Sequence, residues 1–262
     1  MRALCGVITA ALLLAPGAGS ADTRALLAKP RQRVETADYR ASGRLVRVDA
    51  NGSRISFPIT IKAHWFPGVL KVEAEIGTGS KTDAHSPASG HIPVHILLEM
   101  RPNGQDSILV AHAGDKAPVA LSFDKWSDGP LGNAFSYEDF LESEYFWQSQ
   151  TSLGETKFGA RDCDLIKSAP GSADHTHYAE VKSWIDHGIG FPVYVEKTLK
   201  GTAVVKEFTY FDLRQNGGVW SASQVEAKIR GQAGSTLLII DRGSTKANLE
   251  ARDFTTSQFL HF

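Results

Sequence analysis

Cysteine is nearly absent from this chain of 262 residues, which contains only Cys5 and Cys163 and so cannot be a disulfide-rich scaffold. Charge of one sign is also missing, because 28 Lys and Arg residues face 29 Asp and Glu residues, for a formal net charge of −1. A near-neutral chain has no broad field that would attract nucleic acid or an anionic membrane. The composition, 42% hydrophobic and 22% charged, is that of an ordinary globular protein and argues against disorder.

The N-terminus lacks an apolar run long enough to cross a membrane. One positive side chain, Arg2, precedes an almost wholly apolar run from Ala3 to Leu14. Pro16-Gly17 ends the run, and the small residues Gly19-Ser20-Ala21 follow. A bilayer span needs ~20 apolar residues, whereas a short apolar region followed by small residues is typical of a secretory signal peptide. The alternative interpretation is a buried first helix.

We therefore predict a signal peptide over residues 1–21, cleaved before Asp22. Residues 22–262 then form a single periplasmic domain without a stable membrane anchor. Cleavage removes Cys5 and leaves Cys163 without an intramolecular partner. A lone cysteine outside any reactive motif is most often a buried, inert thiol.

Alternation of apolar and polar residues dominates the chain from Asp38 onward and predicts strands. Such alternation indicates antiparallel strands with one buried face and one solvated face. Turn signals such as Asn51-Gly52 and Asn216-Gly217-Gly218 separate the runs. Leu97 is an exception within its run, and the polar stretch 77–90 is expected to be a mobile hairpin tip. The clearest alternating runs are residues 55–65, 71–76, 94–101, 178–186, 191–196 and 219–230.

Two segments depart from the strand pattern. Residues 23–37 suggest a short helix that Pro30 interrupts. Ser136 followed by Asp139 is a variant of the capping box, and it precedes a helical stripe formed by Tyr137, Phe140, Leu141 and Tyr145. We expect a helix that begins at Ser136, with its acidic residues in solvent. It is either a fixed plug or a movable lid that swings on residues 126–132.

Sequence patterns for catalysis or metal binding are weak. Residues 77–82 superficially resemble a phosphate-binding loop, but Ser80 stands where that motif needs glycine before its lysine. His175 and His177 could share a strand face and bind a metal with His112 or His187, but no cysteine or carboxylate has a supporting spacing. Exposed strand histidines are the commoner outcome.

An acid pair such as Glu142 and Glu144 could in principle perform glycosidase chemistry, but on a capped helix these residues more often solvate the outer side. We predict no catalytic residue, no metal site and no cofactor, and we expect that the protein is not an enzyme. A hydrolase with an unrecognised His/Asp site is the enzymatic alternative.

A series of short motifs occurs in an order that resembles the LolA-like family of periplasmic outer-membrane lipoprotein-sorting proteins. The resemblance covers roughly residues 35–262. Its motifs are Trp126 followed by Phe135-Ser136-Tyr137-Glu138-Asp139-Phe140, then Cys163-Asp164-Leu165-Ile166, Tyr178 to Asp186, Phe191 to Glu196, Gly218-Val219-Trp220-Ser221 and Leu249 to Thr255.

This resemblance implies a mainly β fold, in which a strongly curved antiparallel sheet forms an open half-barrel with a few helices on its concave side. It also implies a carrier of lipid-like ligands rather than an enzyme. The best-known carrier of this family has an arginine latch that no motif places in this sequence; Arg44 and Arg47 are candidates only because they lie on an early strand.

The expected function is therefore that of a periplasmic carrier or binding protein for lipid or lipoprotein acyl chains, held in a concave apolar cavity. Its expected partners are a lipid or acylated lipoprotein and an inner-membrane transporter, with no nucleic acid. The alternative is a non-enzymatic adaptor module that docks on a membrane exporter or an envelope assembly complex, with a filled cavity. The hydrophobic ligand-binding residues are predicted to be Phe57, Trp65, Tyr137, Phe140 and Leu141, for each of which plain core packing is the alternative.

Overall fold

The computed structural model describes residues 19–81, 93–102, 104–130 and 134–255. The predicted signal peptide up to residue 18, most of the predicted hairpin tip at residues 77–90, and the end of the predicted hinge at 131–132 lie outside the described residues. No described helix is both long enough and apolar enough to cross a membrane.

The described part of the chain contains two short α-helices and fourteen strands, together with four 3-10 turns. The helices are α1 (Gly19–Leu26) and α2 (Ala28–Glu35). The 3-10 turns are Phe123–Lys125, Tyr137–Phe140, Ser143–Tyr145 and Ala251–Phe254. The strands are β1 (Asp38–Val48), β2 (Arg54–Phe66), β3 (Val69–Ile76), β4 (Ser80–Lys81), β5 (Val94–Met100), β6 (Ser107–His112), β7 (Val119–Ala120), β8 (Ser149–Phe158), β9 (Arg161–Ala169), β10 (Tyr178–Asp186), β11 (Pro192–Leu199), β12 (Val205–Asn216), β13 (Val219–Ile229) and β14 (Ser235–Ser244).

All of these strands form one antiparallel sheet in the order β7-β6-β5-β3-β2-β1-β14-β13-β12-β11-β10-β9-β8, with β4 added beside β2. The first long strand pairs with the last, so β1 and β14 lie at the centre while β7 and β8 form the edges. The sheet curves strongly without closing into a barrel. The predicted mainly β, open half-barrel fold is confirmed.

The alternation in the sequence explains which face of the sheet is buried. In β2, Phe57, Ile59, Ile61 and Ala63 are buried, whereas the residues between them are mostly exposed or partly exposed. Each of the six alternating runs contains a strand, and two glycines with φ of 59° and 85° form the turn between β12 and β13. Leu97 breaks the alternation because it packs on the opposite face, against Leu249 and Phe254 of the C-terminal segment.

Two apolar clusters lie on the concave side, and the segment 134–147 joins them. The first cluster belongs to strands β1 to β6 and includes Tyr137 and Leu141 of this segment. The second belongs to strands β10 to β13 and includes Phe135 and Trp147. Phe140 packs against both clusters. The segment 134–147, called the crossing segment below, therefore connects the two halves of the sheet.

The crossing segment is not the predicted α-helix. It consists of the two 3-10 turns, and Leu141 between them is extended, with φ of −103° and ψ of 141°. The capping box of Ser136 and Asp139 is present as predicted. Its acidic residues are not in solvent, however: Glu138, Asp139 and Glu144 are all buried. The helical spacing of the apolar residues was misleading here. This segment is buried on several sides and not along one apolar stripe.

The described residues of the expected hinge, 126–130, pack against the core and form hydrogen bonds to their surroundings. Trp126 is buried in the first apolar cluster, and its indole nitrogen donates to the Leu121 carbonyl at 3.1 Å. The backbone nitrogens of Tyr137 and Glu138 donate to the carbonyls of Asp128 and Trp126. These contacts fix the crossing segment to the residues on which it was expected to swing.

Residues 23–37 contain two helices instead of one interrupted helix. Pro30 is the third residue of α2, within the first turn, where the missing N–H of proline breaks no intrahelical hydrogen bond. Pro30 and Val34 are buried, so α2 packs over the concave face. Cys163 is a buried free thiol, as predicted, and the other cysteine of the sequence, Cys5, lies outside the described residues.

The C-terminal segment is fixed to the sheet by Asp38, the first residue of β1. Its two carboxylate oxygens accept hydrogen bonds from the backbone nitrogens of Asn248 and Leu249, each at 3.0 Å. His64 lies 3.1 Å away. Partial burial alone would raise the pKa of Asp38, but the Leu249 N–H, His64 and the Asn248 N–H together hold it below its usual value.

We expect Asp38→Asn to lower the free energy of unfolding by about 1.5–3 kcal/mol at pH 7, because hydrogen bonds to a charged acceptor are lost. A lowered pKa in the folded state stabilises the fold above the unfolded value near 4, and this contribution disappears as pH falls through the folded pKa. The difference between wild type and variant should therefore shrink below about pH 4. Urea unfolding of wild type and variant at pH 7 and pH 3 measures this difference, with the exposed Asp241→Asn as the control. A difference that stays constant with pH would contradict this assignment.

Candidate functional site

A cavity of about 590 Å³ lies on the concave side, between the sheet, α2 and the crossing segment. This volume is within the range of small-molecule sites, roughly 300–1,000 Å³. Apolar side chains from three regions line much of it: Val34 of α2, Phe135 and Phe140 of the crossing segment, and Ile61, Ala63, Leu70, Val72, Phe191, Phe208, Val225, Leu238 and Ile240 of the sheet and its loops.

Strand register explains why these residues face one space. Ala63 pairs with Val72 across β2 and β3, and Val225 pairs with Leu238 across β13 and β14. Directly opposed residues project to the same face of a sheet. The curvature brings these pairs from separate parts of the sheet around the same cavity.

The five predicted ligand-binding residues do not all lie at the cavity. Phe140 lines the cavity and packs edge-on against Phe135, with ring centroids 5.0 Å apart. Phe57, Tyr137 and Leu141 are buried in the first apolar cluster. Trp65 packs beside that cluster and stacks on Phe146 at 5.9 Å. Only Phe140 of the five lines this cavity, and a role for the others in ligand binding stays a prediction.

Two arginines of α2 hold this helix against the crossing segment. Arg33 forms an ion pair with Glu142, and its guanidinium lies 5.1 Å from the centroid of the Phe191 ring. Arg31 donates to the Tyr145 carbonyl at 2.6 Å. Burial by itself would lower the pKa of Arg33, but the carboxylate of Glu142 raises it, so the guanidinium keeps its charge. Arg33 and Glu142 both line the cavity.

A buried network of charges, centred on Asp139, borders the cavity, and Asp139 and Lys197 are among the lining residues. Lys206 donates to Asp139 Oδ2 at 3.1 Å and to the Ser136 hydroxyl at 2.9 Å. The Tyr178 hydroxyl donates to Asp139 Oδ1 at 2.6 Å. Lys197 lies 3.6 Å from Asp139 and 3.4 Å from Glu144. Both lysine side chains are no more than 5% exposed, so each buried charge has an opposite charge beside it.

The pKa values in this network follow from that pairing. Burial alone would raise the pKa of Asp139, but Lys206 and Lys197 outweigh it and the pKa is lowered. Glu144 has fewer partners, so burial raises its pKa despite Lys197. Burial would lower the pKa of Lys197, but Glu144 and Asp139 raise it. Asp139 and Lys197 therefore remain charged at neutral pH.

Neither lysine was predicted from the sequence, although the position of each one on the apolar face of its strand was informative. Lys197 follows Val193 and Val195 at alternate positions of β11, and all three are buried. Lys206 precedes Phe208 on the buried face of β12. A lysine on the apolar face of a strand indicates a buried partner carboxylate. Alternation alone could not identify which carboxylate that is.

The histidines and early arginines that the sequence singled out are dispersed. His187 lies 3.1 Å from Asp164, His177 lies 3.5 Å from Glu138, and His175 contacts Phe123. Among the described residues no group of three or more His, Cys, Asp and Glu side chains could hold a metal ion.

Arg44 and Arg47 lie on β1 but pair with Asp241 and Asp49 on the surface.

Solved structures of other proteins show the same fold as this chain. A domain from Vibrio parahaemolyticus, provisionally described as an outer membrane lipoprotein-sorting protein domain, has a TM-score of 0.75 and 18% identity, over 90% of this chain and 97% of that one. A DUF1329 family protein from Desulfovibrio piger has a TM-score of 0.75 and 15% identity, over 91% and 98% of the two chains. A LolA superfamily protein from Nitrosomonas europaea has a TM-score of 0.62 and 12% identity, over 90% and 98%.

The chain therefore has a LolA-like fold, as the order of its sequence motifs predicted. A family model described as "Uncharacterized protein" matches residues 120–260, more than half of the sequence, and the chain belongs to that family. Among curated proteins, none matches this sequence.

Proposed function

We propose that this protein is a periplasmic, non-enzymatic binding protein that holds a lipid acyl chain in its concave cavity. The observation that carries the proposal is the cavity of about 590 Å³ between the sheet, α2 and the crossing segment, to which all three contribute apolar side chains. Each methylene group moved from water into such a site contributes about 0.8 kcal/mol. The description of the similar Vibrio domain as a lipoprotein-sorting domain supports a lipid or an acylated lipoprotein as the ligand.

The size of the cavity favours a carrier over an adaptor module. An adaptor that only docks on an exporter needs no internal space, and its concave side would be filled by its own side chains.

The charge network favours a binding role over hydrolysis. Its carboxylates are paired with Lys197 and Lys206, and they do not activate a nucleophile. An inner-membrane transporter that delivers or receives the ligand is the proposed protein partner.

The proposal is tested by titrating the purified domain with an environment-sensitive fatty-acid probe. Wild type should bind it saturably, and Phe140→Ala should weaken binding at least fivefold because a large apolar contact in the cavity is lost. Since Phe140 packs against both apolar clusters, the same change should also cost up to about 3 kcal/mol of stability. Phe158→Ala is the matched control, because Phe158 stacks on Tyr194 outside the cavity.

Saturable probe binding together with a co-purified lipid in organic extracts would support the carrier. If wild type binds no probe and carries no lipid, the carrier proposal is wrong, and the adaptor module becomes the better explanation.

Export to the periplasm is tested separately. We expect the mature protein to begin at Asp22, which shortens α1 by three residues and keeps its buried Thr23. N-terminal sequencing of exported protein measures this directly, and an intact Met1 on periplasmic material would show that no signal peptide is cleaved.

A further inference from the structure

The sheet is incomplete between two neighbouring strands, β13 and β14. These strands pair with each other only over residues 224–227 and 236–239. Residues 219–223 of β13 pair with β12 alone, and residues 240–244 of β14 pair with β1 alone, within the described sheet. The two segments 219–223 and 240–244 are called the arms below, and the space between them is called the sheet opening.

The cavity reaches into the sheet opening. In a closed sheet only every second residue of a strand faces one side. Where β13 and β14 are paired, the cavity follows this rule, because Val225 and Leu238 line it and the adjacent Gln224 and Ile239 do not. In both arms, by contrast, every consecutive residue lines the cavity. The cavity is therefore bounded by the edges of the arms as well as by their inner faces.

The sheet opening connects the cavity to solvent. Residues 241–246 are all exposed, and so are Arg214, Asn216 and Gly217 of the hairpin that joins β12 to β13. All of these residues line the cavity. Phe208, which also lines it, is buried. The cavity thus runs from a buried end at Phe208 to an exposed end between the arms.

Small residues keep the sheet opening wide. The first arm contains Ser-Ala-Ser at 221–223, and Gly243 and Ser244 end the second arm. Gly243 lies opposite Ala41 of β1, and both line the cavity. A Cβ at Gly243 would meet no atom nearer than 3.7 Å, so crowding does not require a glycine here. Glycine inside a strand often marks a place where a ligand approaches the backbone closely.

The other walls at this end of the cavity are tied together by charged side chains. The crossing segment is joined through Asp139 to the buried lysines of β11 and β12. The helix α2 borders the exposed end with Gln32 and Thr36, but the ion pair of Arg33 with Glu142 joins it to the crossing segment. The arms have no ladder hydrogen bonds between them to break. Parts of a structure with few such bonds open at the lowest free energy.

We propose that the sheet opening is the route by which the acyl chain enters and leaves the cavity. This inference rests on the proposed function and adds to it the place where the ligand passes. The acyl chain passes tail first between the arms, beside Gly243, toward the buried end at Phe208. The polar end of the ligand remains between the arms, where the open N–H and C=O groups of the two strand edges can form hydrogen bonds with it.

Cross-linking the arms tests the proposal. Val219→Cys/Ser244→Cys places one thiol near the open end of each arm, and a short bismaleimide joins them while the buried Cys163 stays unreactive. Stopped-flow fluorescence with cis-parinaric acid, a fluorescent fatty acid, measures association and release. Cross-linking should slow both at least about tenfold and leave Kd within about threefold, because a blocked route changes the rates and not the bound state. Thr209→Cys/Glu226→Cys is the control, since this pair joins β12 to β13 and does not line the cavity.

Gly243→Trp tests the same route without a reagent. The indole narrows the sheet opening and should slow association and release at least about threefold, again with little change in Kd. Ser149→Trp, on the exposed edge strand β8 away from the cavity, is its control. This variant decides the question if the arms do not cross-link.

The outcomes separate the two proposals. Unchanged rates in protein whose cross-link is verified by mass spectrometry, or in folded Gly243→Trp, overturn the sheet opening as the route and leave the carrier intact. Weaker equilibrium binding with unchanged association shows that the arms hold the ligand rather than admit it, and this also overturns the route. If wild type does not bind cis-parinaric acid, the carrier and the route fail together.

Discussion

Asp139→Asn is expected to lower the free energy of unfolding by about 3–5 kcal/mol, which is the cost of removing one partner from a buried ion pair. Asp139 is the central acceptor for Lys206 and Tyr178 and lies beside Lys197. Asparagine has nearly the same shape but no charge. The two lysines would remain buried with only Glu144 as a close countercharge, so the penalty comes from uncompensated charge and not from lost packing.

Urea unfolding followed by tryptophan fluorescence measures this change. Asp128→Asn is a suitable control, because Asp128 is 55% exposed and forms a surface pair with Lys125. We expect the control to change stability by no more than about 0.5 kcal/mol. A loss below about 1 kcal/mol for Asp139→Asn would mean that water reaches the network, and that the crossing segment is not fixed by these charges.

The same network also predicts that the crossing segment is not a lid. A lid belongs to the least stable part of a structure, with few buried contacts. Here Asp139 and Glu144 are joined to strands β11 and β12 through buried lysines, and Tyr145 is fully buried. We therefore expect the crossing segment to be a fixed plug and not a movable lid.

Ser221→Trp is expected to reduce binding of the fatty-acid probe at least tenfold, equivalent to about 1.4 kcal/mol, with little loss of stability. Ser221 lines the cavity and shares a strand face with Val225, four residues further along β13. An indole at this position occupies space that the acyl chain needs. Ser221 is only partly buried, so the larger side chain can enter the open cavity without displacing the core.

Ser149→Trp provides the matched control, because Ser149 is exposed on the edge strand β8 and does not line the cavity. Probe titration and thermal melting of both variants separate the effects. If Ser221→Trp binds the probe as wild type does, the acyl chain does not occupy this cavity.

The strands could be predicted well from the sequence, because each one has a buried and an exposed face. Ile59, Ile61 and Ala63 are buried at every second position of β2, and the same rule holds along β11. The LolA-like fold could be recognised from the order of many short motifs along the chain. Phe140 lines the cavity, and its role in ligand binding stays a prediction.

The crossing segment was predicted less well for a physical reason. Tyr137, Phe140, Leu141 and Tyr145 have helical spacing, but the acidic residues between them are buried too. Periodicity assumes that polar residues face water. Buried lysines on distant strands satisfy these carboxylates instead, and a sequence-local pattern contains no information about partners about 60 residues away, such as Lys197 and Lys206.

By itself, the amino-acid sequence determined the class of fold, the positions of the clearest alternating strands and the capping box at Ser136, because these depend on neighbours within a few residues. Only the tertiary structure decided where the cavity lies and which charges are buried. Asp139, Lys197 and Lys206 are separated by up to 67 positions along the chain. Their contact is a property of the assembled strands and not of any single segment.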